Sequence, residues 1–503
     1  MNRTITLLIA KAALLLAIIL VASCKRANVT DETTGKGLKS GINGHLSTST
    51  LPFLKGVDLS YVNELEDNSV VYTEDGVAKD AYQIMHDHGA NLVRLRLWHN
   101  PTWTTYSNLA DVKVSIQRAK TLNMKVLLDF HYSDTWTDPQ QNQVPAAWLS
   151  VVNNTSVLAD SLANYTTNVL THLKNVNLLP DMVQIGNETN NNILVTDTSQ
   201  LLPINWSRNV TLFNAGINAV AAFNSTYSKS IKTVLHVAMD DNDVRNWMSS
   251  LTANGIADFD MLGLSYYPQW QRYDTNELGV LVADMLSLYG KQVLIAETGH
   301  IWTRNWDDSS INLMSQMAVG YPETPCAQLQ KDFLIEVKKA VQNNGGAGVI
   351  AWEPAWVSAG NVTLWGVGSN WENVAFFDFN NALLKPGGVE YLSDSNVAVT
   401  FKVDMAGVST ANGVFITGDF TKNDAASWQF FPMKQVGTST IYTFRTFLNP
   451  GQTGAFYFLN DDAWTARETV PSACQGSWTD RAYTIGTSAS QNISYVWSSC
   501  TTF

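Results

Sequence analysis

Two glutamates, Glu188 and Glu297, each stand at the end of a short apolar run of the sequence. Two carboxyl groups that flank one bond can hydrolyse a glycoside, because one protonates the leaving oxygen while the other attacks the anomeric carbon or activates a water. The candidate site contains no serine or cysteine nucleophile paired with a histidine and no glycine-rich phosphate loop. The pair therefore indicates glycosidase chemistry, provided that the fold brings both side chains to one place.

Eight apolar runs rich in Val, Ile, Leu and Phe recur between residues 52 and 390, with amphipathic or long connecting segments between them. The runs are Phe53–Leu59, Asn91–Trp98, Lys125–Tyr132, Met182–Glu188, Thr233–Met239, Met261–Tyr267, Gln292–Glu297 and Gly348–Glu353. Such runs are typical of strands buried on both faces. Helical spacing is clear in three segments: Asp111–Asn123, Leu158–Val176 and Gln328–Asn343. The glycines expected to end helices are Gly89, Gly255, Gly290 and Gly345.

This alternation predicts a (β/α)8 TIM barrel over residues 52–390. A doubly wound sheet is the alternative, and the count of eight together with the polar residues at the strand ends favours the barrel. Active sites of such barrels lie at the C-terminal ends of the strands. The candidates there are Asp58, Tyr61, Arg94, Arg96, Trp98, His99, Asp129, His131, Asp134, Trp136, Asn187, Glu188, Asp240, Asp241, Tyr266, Tyr267, Glu297, His300, Trp352 and Glu353.

Four segments that end predicted strands resemble the arabinogalactan endo-β-1,4-galactanases of glycoside hydrolase family 53. They are residues 56–60, 94–98, 129–139 and 351–356. The dipeptide Asn187-Glu188 resembles the fourth-strand signature of the larger clan of retaining barrel glycosidases, and Ile295–Gly299 resembles its seventh-strand nucleophile. The resemblance covers roughly residues 52–390. It implies an endo-acting hydrolase that cleaves the β-1,4-galactan of pectic arabinogalactan with retention, through a covalent glycosyl-enzyme.

The resemblance also implies residue roles. Glu188 is the acid/base and needs a raised pKa, whereas Glu297 is the nucleophile and must be ionised, which Arg94 or, with less support, Arg96 would favour. Asn187 is expected to bind the 2-hydroxyl of the sugar, and Tyr266 or Tyr267 to orient Glu297. The remaining expected substrate-binding residues are Asp58, Trp98, His131, Asp134, Trp136, His300 and Trp352. Glu353 is interpreted as structural.

Some members of the family hold calcium in the loop after the seventh strand. Here Asp307, Asp308 and Asn312 offer oxygen ligands of the type that calcium takes, although the loop departs from the family's alternating acidic pattern. The loop is thus either a structural calcium site or a solvated acidic loop. No motif indicates another cofactor, and none is required for the chemistry.

The N-terminus indicates export. Residues 1–24 combine basic residues, an apolar stretch and the run Val21-Ala22-Ser23-Cys24, which resembles a bacterial lipobox. We therefore expect a lipoprotein whose Cys24 carries the lipid, with residues 25–51 as a flexible tether and the protein membrane-anchored at the bacterial cell surface. The net charge of −12 argues against a nucleic-acid partner. The expected partners are a polysaccharide and the membrane, and a monomer is expected.

Short alternating strands and no helical pattern predict an all-β sandwich over residues 396–503. Its aromatic residues include Trp428, Phe430, Tyr457, Trp464, Trp478 and Trp497. The sandwich is either a carbohydrate-binding module or a structural spacer or docking domain. Cys474 and Cys500 could form a disulfide, which would leave Cys326 free.

Two other functions are alternatives for this sequence. A retaining endo-glycanase for another β-1,4 glycan, such as mannan or xylan, would use the same two glutamates. A non-catalytic surface glycan-binding lipoprotein is the alternative from another class, and the presence of both glutamates argues against it.

Overall fold

A computed structural model describes residues 52–363, 366–423 and 427–503, so the predicted lipobox at Cys24 and the tether lie outside the described residues. Eight parallel strands form a closed barrel, each paired with the next along the chain and the last paired with the first. The strands are β1 (Leu54–Asp58), β2 (Leu92–Leu97), β3 (Lys125–Phe130), β4 (Met182–Ile185), β5 (Lys232–Val237), β6 (Met261–Tyr266), β7 (Gln292–Thr298) and β8 (Gly348–Ala351). The predicted barrel is confirmed.

The α-helices described lie in the segments between the barrel strands. They are α1 (Val62–Asp67), α2 (Ala81–Asp87), α3 (Leu109–Thr121), α4 (Thr155–Asn175), α5 (Trp206–Tyr227), α6 (Asp241–Ala253), α7 (Thr275–Tyr289) and α8 (Ala327–Asn343). Helix α7 begins with a capping box between Asp274 and Glu277 and ends at Gly290, whose φ of 67° is left-handed. Strand β4 ends at Ile185, before the predicted Glu188, because Gly186 has a φ of 84° and turns the chain out of the sheet.

The barrel interior is closed at its N-terminal end by a layer of one apolar residue from each strand. This layer is Leu54, Leu92, Leu127, Met182, Val234, Met261, Leu294 and Ile350. Side chains of a strand alternate between its two faces, so the residue two positions further along faces inward as well. In β2 to β5 this second layer is Arg94, Asp129, Gln184 and His236. The interior therefore changes from apolar to polar toward the C-terminal mouth.

The C-terminal region is a sandwich of two four-stranded sheets, as predicted. Its strands are β9 (Val397–Asp404), β10 (Phe415–Gly418), β11 (Phe431–Pro432), β12 (Lys434–Gln435), β13 (Ile441–Leu448), β14 (Thr453–Leu459), β15 (Arg481–Thr484) and β16 (Ser490–Val496). One sheet has the order β12-β13-β9-β16 and the other β11-β10-β14-β15. Cys474 and Cys500 form a disulfide, with 5.6 Å between their Cα atoms, whereas Cys326 is a buried free thiol.

Helix α8 of the barrel packs directly on the sandwich. Leu329 of this helix belongs to the apolar core of the sandwich. Asp332 is buried beside it, and its carboxyl oxygens accept hydrogen bonds from the Thr446 hydroxyl (2.7 Å) and the Phe447 backbone N–H (2.8 Å). Burial raises the pKa of Asp332 to about 7. An apolar and polar interface thus fixes the sandwich against the barrel.

Among the described helices, none combines the length and apolar character that a membrane crossing requires.

Candidate active site

Glu297 faces the barrel interior because strand β7 contains a β-bulge. In a regular strand, a residue three positions after the inward-facing Leu294 would point outward. The pairing with β6 shifts by one residue here: Leu264 lies opposite Ile295, but Ser265 lies opposite Glu297. Ala296 is therefore the extra residue of the bulge, and the bulge turns the Glu297 carboxylate toward the mouth of the barrel.

Glu188 reaches the same place from the opposite side of the barrel, in the turn after β4. Its φ is 45°, which is left-handed and unusual for a residue with a side chain. Its Oε1 accepts a 2.6 Å hydrogen bond from the Ser265 hydroxyl. A carboxylate oxygen of Glu188 lies within 4.8 Å of one of Glu297. Such close approach matches the short spacing of retaining glycosidases rather than the wider spacing, about 6.5–9.5 Å, that leaves room for a water in inverting enzymes.

Arg94 is the cation at the centre of this site. Its Nη1 lies 2.8 Å from Oε1 of Glu297 and donates to Asp58 (2.9 Å), and its Nη2 donates to both Asp129 and Asn187 (2.7 Å each). The guanidinium is buried and has carboxylates on several sides. A fork of five N–H donors is suited to holding several acceptors at fixed positions. Arg94 thus orients Glu297 and, through Asn187, the turn that carries Glu188.

Tyr267 completes the surroundings of Glu297. Its hydroxyl donates a 3.0 Å hydrogen bond to Oε2 of Glu297, so both oxygens of the predicted nucleophile are held. Tyr266, the other candidate, faces away from the site: its hydroxyl donates to the Tyr273 carbonyl, and its ring stacks on Phe333 of α8. The prediction that named both tyrosines is therefore reduced to Tyr267.

The two glutamates have different pKa values. Burial raises the pKa of Glu297 to about 7, with the Arg94 guanidinium acting in the opposite direction. Loss of solvation, and then the nearby Glu297 carboxylate, raise the pKa of Glu188 well above its ordinary range. As the pH rises, Glu297 loses its proton first because it lies beside the Arg94 guanidinium. A pH interval therefore exists in which Glu297 is ionised and Glu188 is still protonated.

Three polar residues that were not predicted from the sequence bind Glu188 and Asn187 together: Gln184, His236 and Ser265. His236 Nε2 lies 3.0 Å from the Ser265 oxygen, and its Nδ1 lies 3.0 Å from Gln184 Nε2. The Ser265 hydroxyl already donates to Glu188, so its oxygen accepts a hydrogen bond from Nε2 of His236. Nε2 therefore carries the proton, and Nδ1 accepts a hydrogen bond from the Gln184 amide. Burial holds the pKa of His236 well below its usual value, so this histidine is neutral. Its position two residues after the inward-facing Val234 was the signal that could have identified it.

Glu188, His236 and Glu297 also form a group close enough to hold a metal ion. The hydrogen bonds of His236 to Gln184 and Ser265 already employ both ring nitrogens. We therefore assign this group to proton chemistry and its support.

Three aromatic side chains from the segments after β1, β2 and β3 form an aromatic wall in which each is nearly buried. Arg96 is enclosed by the rings of Tyr61, Trp98 and Trp136, at 4.7, 4.7 and 4.1 Å from the ring centroids. Its Nη1 lies 3.4 Å from Oε1 of the fully buried Glu353. Arg96 thus pairs with Glu353 and holds the aromatic wall, which suits the structural interpretation of Glu353.

Two further predicted substrate residues stand at the mouth. The Trp352 ring packs edge-on against Trp371, with 4.8 Å between centroids. His131 lies with its Nε2 3.2 Å from Asp129 Oδ2, and its Nδ1 faces the Thr137 hydroxyl at 3.0 Å. The Asp129 carboxylate therefore bridges His131 and Arg94.

Two predicted substrate-binding residues are engaged elsewhere. The Asp134 carboxylate accepts backbone N–H bonds from Asn100 (2.9 Å) and Ala146 (2.8 Å), so it ties loops together. His300 is fully buried; its ring lies near Phe333, and its Nε2 accepts from the Ala318 backbone N–H at 3.3 Å. These contacts give both residues structural roles in the loops around the mouth.

The three predicted calcium ligands differ in what their side chains contact. Asp308 accepts backbone N–H bonds from Ser310 and Ser369, at 2.7 Å each, with its two oxygens. Asn312 turns its amide nitrogen toward a neighbouring carboxylate, and the Asp307 side chain is exposed. In the described chain, no group of three acidic, histidine or cysteine ligands close enough for a metal includes this loop. Asn312 Oδ1 is buried without a hydrogen-bond partner and could serve as one oxygen ligand, so the calcium site stays a prediction.

Comparisons with known proteins agree with this geometry. The family model of glycosyl hydrolase family 53 matches residues 54–386. The arabinogalactan endo-β-1,4-galactanase of Cellvibrio japonicus is 46% identical over 338 residues, which are 66% of this chain and 89% of that protein. The corresponding enzyme of Humicola insolens is 32% identical over 320 residues, 61% of this chain and 91% of that protein. The sandwich lies beyond the matched family segment.

A solved structure, the family 53 catalytic domain of Ignisphaera aggregans, has 31% sequence identity and a TM-score of 0.61. It covers 68% of this chain and 97% of that one.

Proposed function

The chain belongs to glycosyl hydrolase family 53, and we propose that it is an arabinogalactan endo-β-1,4-galactanase that acts with retention of configuration. The family membership supports the substrate. The observation that carries the stereochemistry is the short separation between the Glu188 and Glu297 carboxylates, within 4.8 Å.

In the first proposed step, Glu297 attacks the anomeric carbon of the galactosyl residue while Glu188 gives its proton to the departing glycosidic oxygen. The bond to the leaving sugar breaks, and an ester bond between the sugar and Glu297 forms. Arg94 and Tyr267 hold the two Glu297 oxygens and keep the carboxylate aimed at that carbon. Asn187 has a second amide hydrogen beyond the one that it donates to the Thr137 carbonyl, which supports its expected contact with the 2-hydroxyl.

In the second step, Glu188, now a carboxylate, removes a proton from water, and the resulting nucleophile attacks the same carbon. The ester bond to Glu297 breaks, and the product leaves with its original configuration. Hydrogen bonding of Glu188 to Ser265 fixes its orientation in both steps. The carboxyl group of Glu188 returns to its protonated form for the next turnover.

Cleavage within a polymer needs an open groove on either side of the scissile bond. A groove of about 660 Å³ lies at the mouth beside the loops after β4, β5 and β6, and its lining includes Asn190, Trp206 and Trp270. The Trp270 ring packs edge-on against Tyr267, with 5.1 Å between centroids, so a residue of the groove wall contacts the tyrosine that holds Glu297. A groove beside the catalytic residues supports endo action.

The decisive experiment is product analysis on a panel of β-1,4-galactan, β-1,3-galactan, galactomannan and xylan, using protein that lacks residues 1–24. Short oligosaccharides from β-1,4-galactan alone are expected. Proton NMR during the reaction should show the β-anomer first. Cleavage of another polymer would overturn the substrate, and first release of the α-anomer would overturn the retaining mechanism.

We further propose that the protein is exported and anchored by lipid on Cys24. The support is the sequence of residues 1–24, which ends in a lipobox-like run. The full-length chain should then partition into the detergent phase and incorporate a labelled fatty acid, whereas Cys24→Ala should do neither. Equal labelling of both chains would contradict the anchor.

We propose that the chemistry needs no cofactor, because two carboxyl groups supply every proton and bond that the two steps require. Both side-chain oxygens of Asp308 already accept backbone N–H bonds, so we expect that chelation with EDTA leaves both galactan hydrolysis and the thermal midpoint unchanged. A drop in the midpoint that added calcium restores would show that the loop rearranges around the ion.

A further inference from the structure

The sandwich carries a group of aromatic residues that its core does not use. The core of the sandwich consists of apolar residues between the two sheets, and Phe456 and Phe458 of β14 belong to it. Because side chains alternate along a strand, Tyr457 between them points to the opposite, outer face of the sheet. Aromatic residues on an outer face do not contribute to the core, so their presence there requires another reason.

Four rings assemble on this outer face, and we call them the aromatic platform: Trp428, Phe430, Tyr457 and Trp464. Trp464 is central. It stacks on Trp428 with centroids 5.9 Å apart and an interplanar angle of 29°, and it meets Phe430 and Tyr457 edge-on at 5.5 and 6.2 Å. Tyr457 is buried beneath the other rings, whereas Trp464 is 43% exposed. The platform is thus a supported surface rather than one isolated side chain.

A fifth aromatic residue borders the platform. Trp478 is 80% exposed on the loop before β15. The neighbouring Thr479 forms a 2.7 Å hydrogen bond with the Tyr457 hydroxyl, which places this loop at the edge of the platform. An indole so exposed is costly to keep in contact with water, because burial of apolar area is favourable.

Polar groups surround the rings and carry both signs of charge. The Arg467 guanidinium lies 5.9 Å from the Tyr457 ring centroid, and its Nη1 donates to the Trp464 carbonyl. Asp461 accepts a 2.9 Å hydrogen bond from Asn412, and the exposed Asp462 follows it. The polar groups around the platform carry both signs of charge, and the whole chain has a net charge of −12. The platform therefore suits a neutral ligand rather than a polyanion.

We propose that the aromatic platform of the sandwich is a second binding site for β-1,4-galactan, separate from the catalytic cleft. Galactopyranose has an apolar C–H face that packs on flat aromatic rings, and its hydroxyls can bind the polar rim. The ligand identity rests on the proposed galactanase function, since a module fixed to the barrel gains most by holding the polymer that the barrel cuts. The interface at Asp332 keeps a polymer bound at the sandwich in the vicinity of the enzyme.

The test is affinity electrophoresis of the full chain carrying Glu297→Gln, which removes the nucleophile, through gels with increasing β-1,4-galactan. Adding Trp428→Ala together with Trp464→Ala should weaken the retention attributable to the sandwich at least about tenfold. The retention that remains after these substitutions measures binding of galactan to the catalytic cleft. Phe503→Ala removes an exposed aromatic side chain elsewhere on the sandwich and should change nothing. Trp478→Ala, at a highly exposed position, is a second variant that should fold normally and weaken retention.

Unchanged retention in both the double variant and Trp478→Ala would overturn the proposal, as would equal loss in the Phe503→Ala control. Equal retention in galactomannan or xylan gels would overturn the assignment to galactan. The same tryptophan substitutions in the active chain should leave kcat/KM on short galacto-oligosaccharides unchanged while slowing attack on insoluble galactan. Failure of the wild-type chain to cleave galactan, with platform-dependent retention intact, would contradict the catalytic proposal and leave the binding site standing.

Discussion

The Nη1 atom of Arg94 lies 2.8 Å from Oε1 of Glu297, so the predicted nucleophile is in direct contact with a buried cation. The same guanidinium binds Asp58, Asp129 and Asn187. Burial favours the neutral form of Glu297, and the cation favours the ionised form. The balance between these two influences sets the pH at which the nucleophile becomes available.

Arg94→Lys should therefore move the acidic limb of the pH–kcat/KM profile to higher pH. Glu297 attacks as a carboxylate, so activity rises with pH through its pKa of about 7 and falls when Glu188 loses its proton. Lysine has no planar fork to hold Glu297 and the other acceptors together, so the pKa of Glu297 rises further. Profiles of both chains measure this shift. Arg96→Lys, whose partner is Glu353, is the control that should leave the limb in place.

Substitution of either glutamate by alanine should reduce turnover, but with a different dependence on the substrate. Glu297→Ala should abolish turnover on every substrate while galactan still binds. Glu188→Ala should lose about 10²–10⁴-fold on galactan and far less on aryl galactosides with good leaving groups, which need little protonation. Steady-state kinetics on both substrate types distinguishes the two roles. Equal losses on both types by Glu188→Ala would contradict its assignment as acid.

Tyr267→Phe should lower kcat about 10- to 100-fold, because a hydrogen bond to a charged group contributes about 1.5–3 kcal/mol. The lost donor leaves Oε2 of Glu297 without its 3.0 Å contact, so the acidic limb should also move to higher pH. Tyr266→Phe is a matched control, since that hydroxyl donates to the Tyr273 carbonyl. A similar kinetic effect in both variants would indicate a general structural disturbance.

Asp332→Asn should reduce the pH dependence of stability between about pH 4 and pH 7. The folded pKa of Asp332 is raised to about 7, above its unfolded value, so the folded state holds a proton that the unfolded state has released. Stability from this group is therefore present at low pH and declines as pH rises toward 7, by at most about 1.4 kcal/mol per pH unit. Chemical denaturation of both chains across this range measures the difference. Parallel curves would contradict the raised pKa.

The barrel and both glutamates could be predicted from the sequence, because buried parallel strands and chemistry-bearing strand ends leave a clear pattern. The bulge at Ala296 could not, since it depends on the pairing of β7 with its neighbours. The choice between Tyr266 and Tyr267 likewise depended on the direction in which each side chain projects at the end of β6. His300 looked like a site residue because it follows Glu297 closely, yet it turns into the packing against α8.

The support around Glu188 was missed for a different reason. Gln184, His236 and Ser265 lie on three different strands, and only the closed barrel brings them into one hydrogen-bonded chain. In the sandwich, composition alone did not separate core aromatic residues from surface ones. That distinction appeared only when the alternation of β14 placed Tyr457 on the outer face.

Because the sandwich packs on helix α8, removing it from the barrel exposes the surface of the helix that it now covers. A barrel cut free near residue 390 would present Leu329 and Cys326 to water and would remove the Thr446 hydroxyl and the Phe447 N–H that donate to the Asp332 carboxyl. Such a fragment should aggregate, even though it contains every residue of the catalytic centre. A soluble minimal enzyme would therefore require polar replacements on this face of the helix, rather than a better choice of cleavage point.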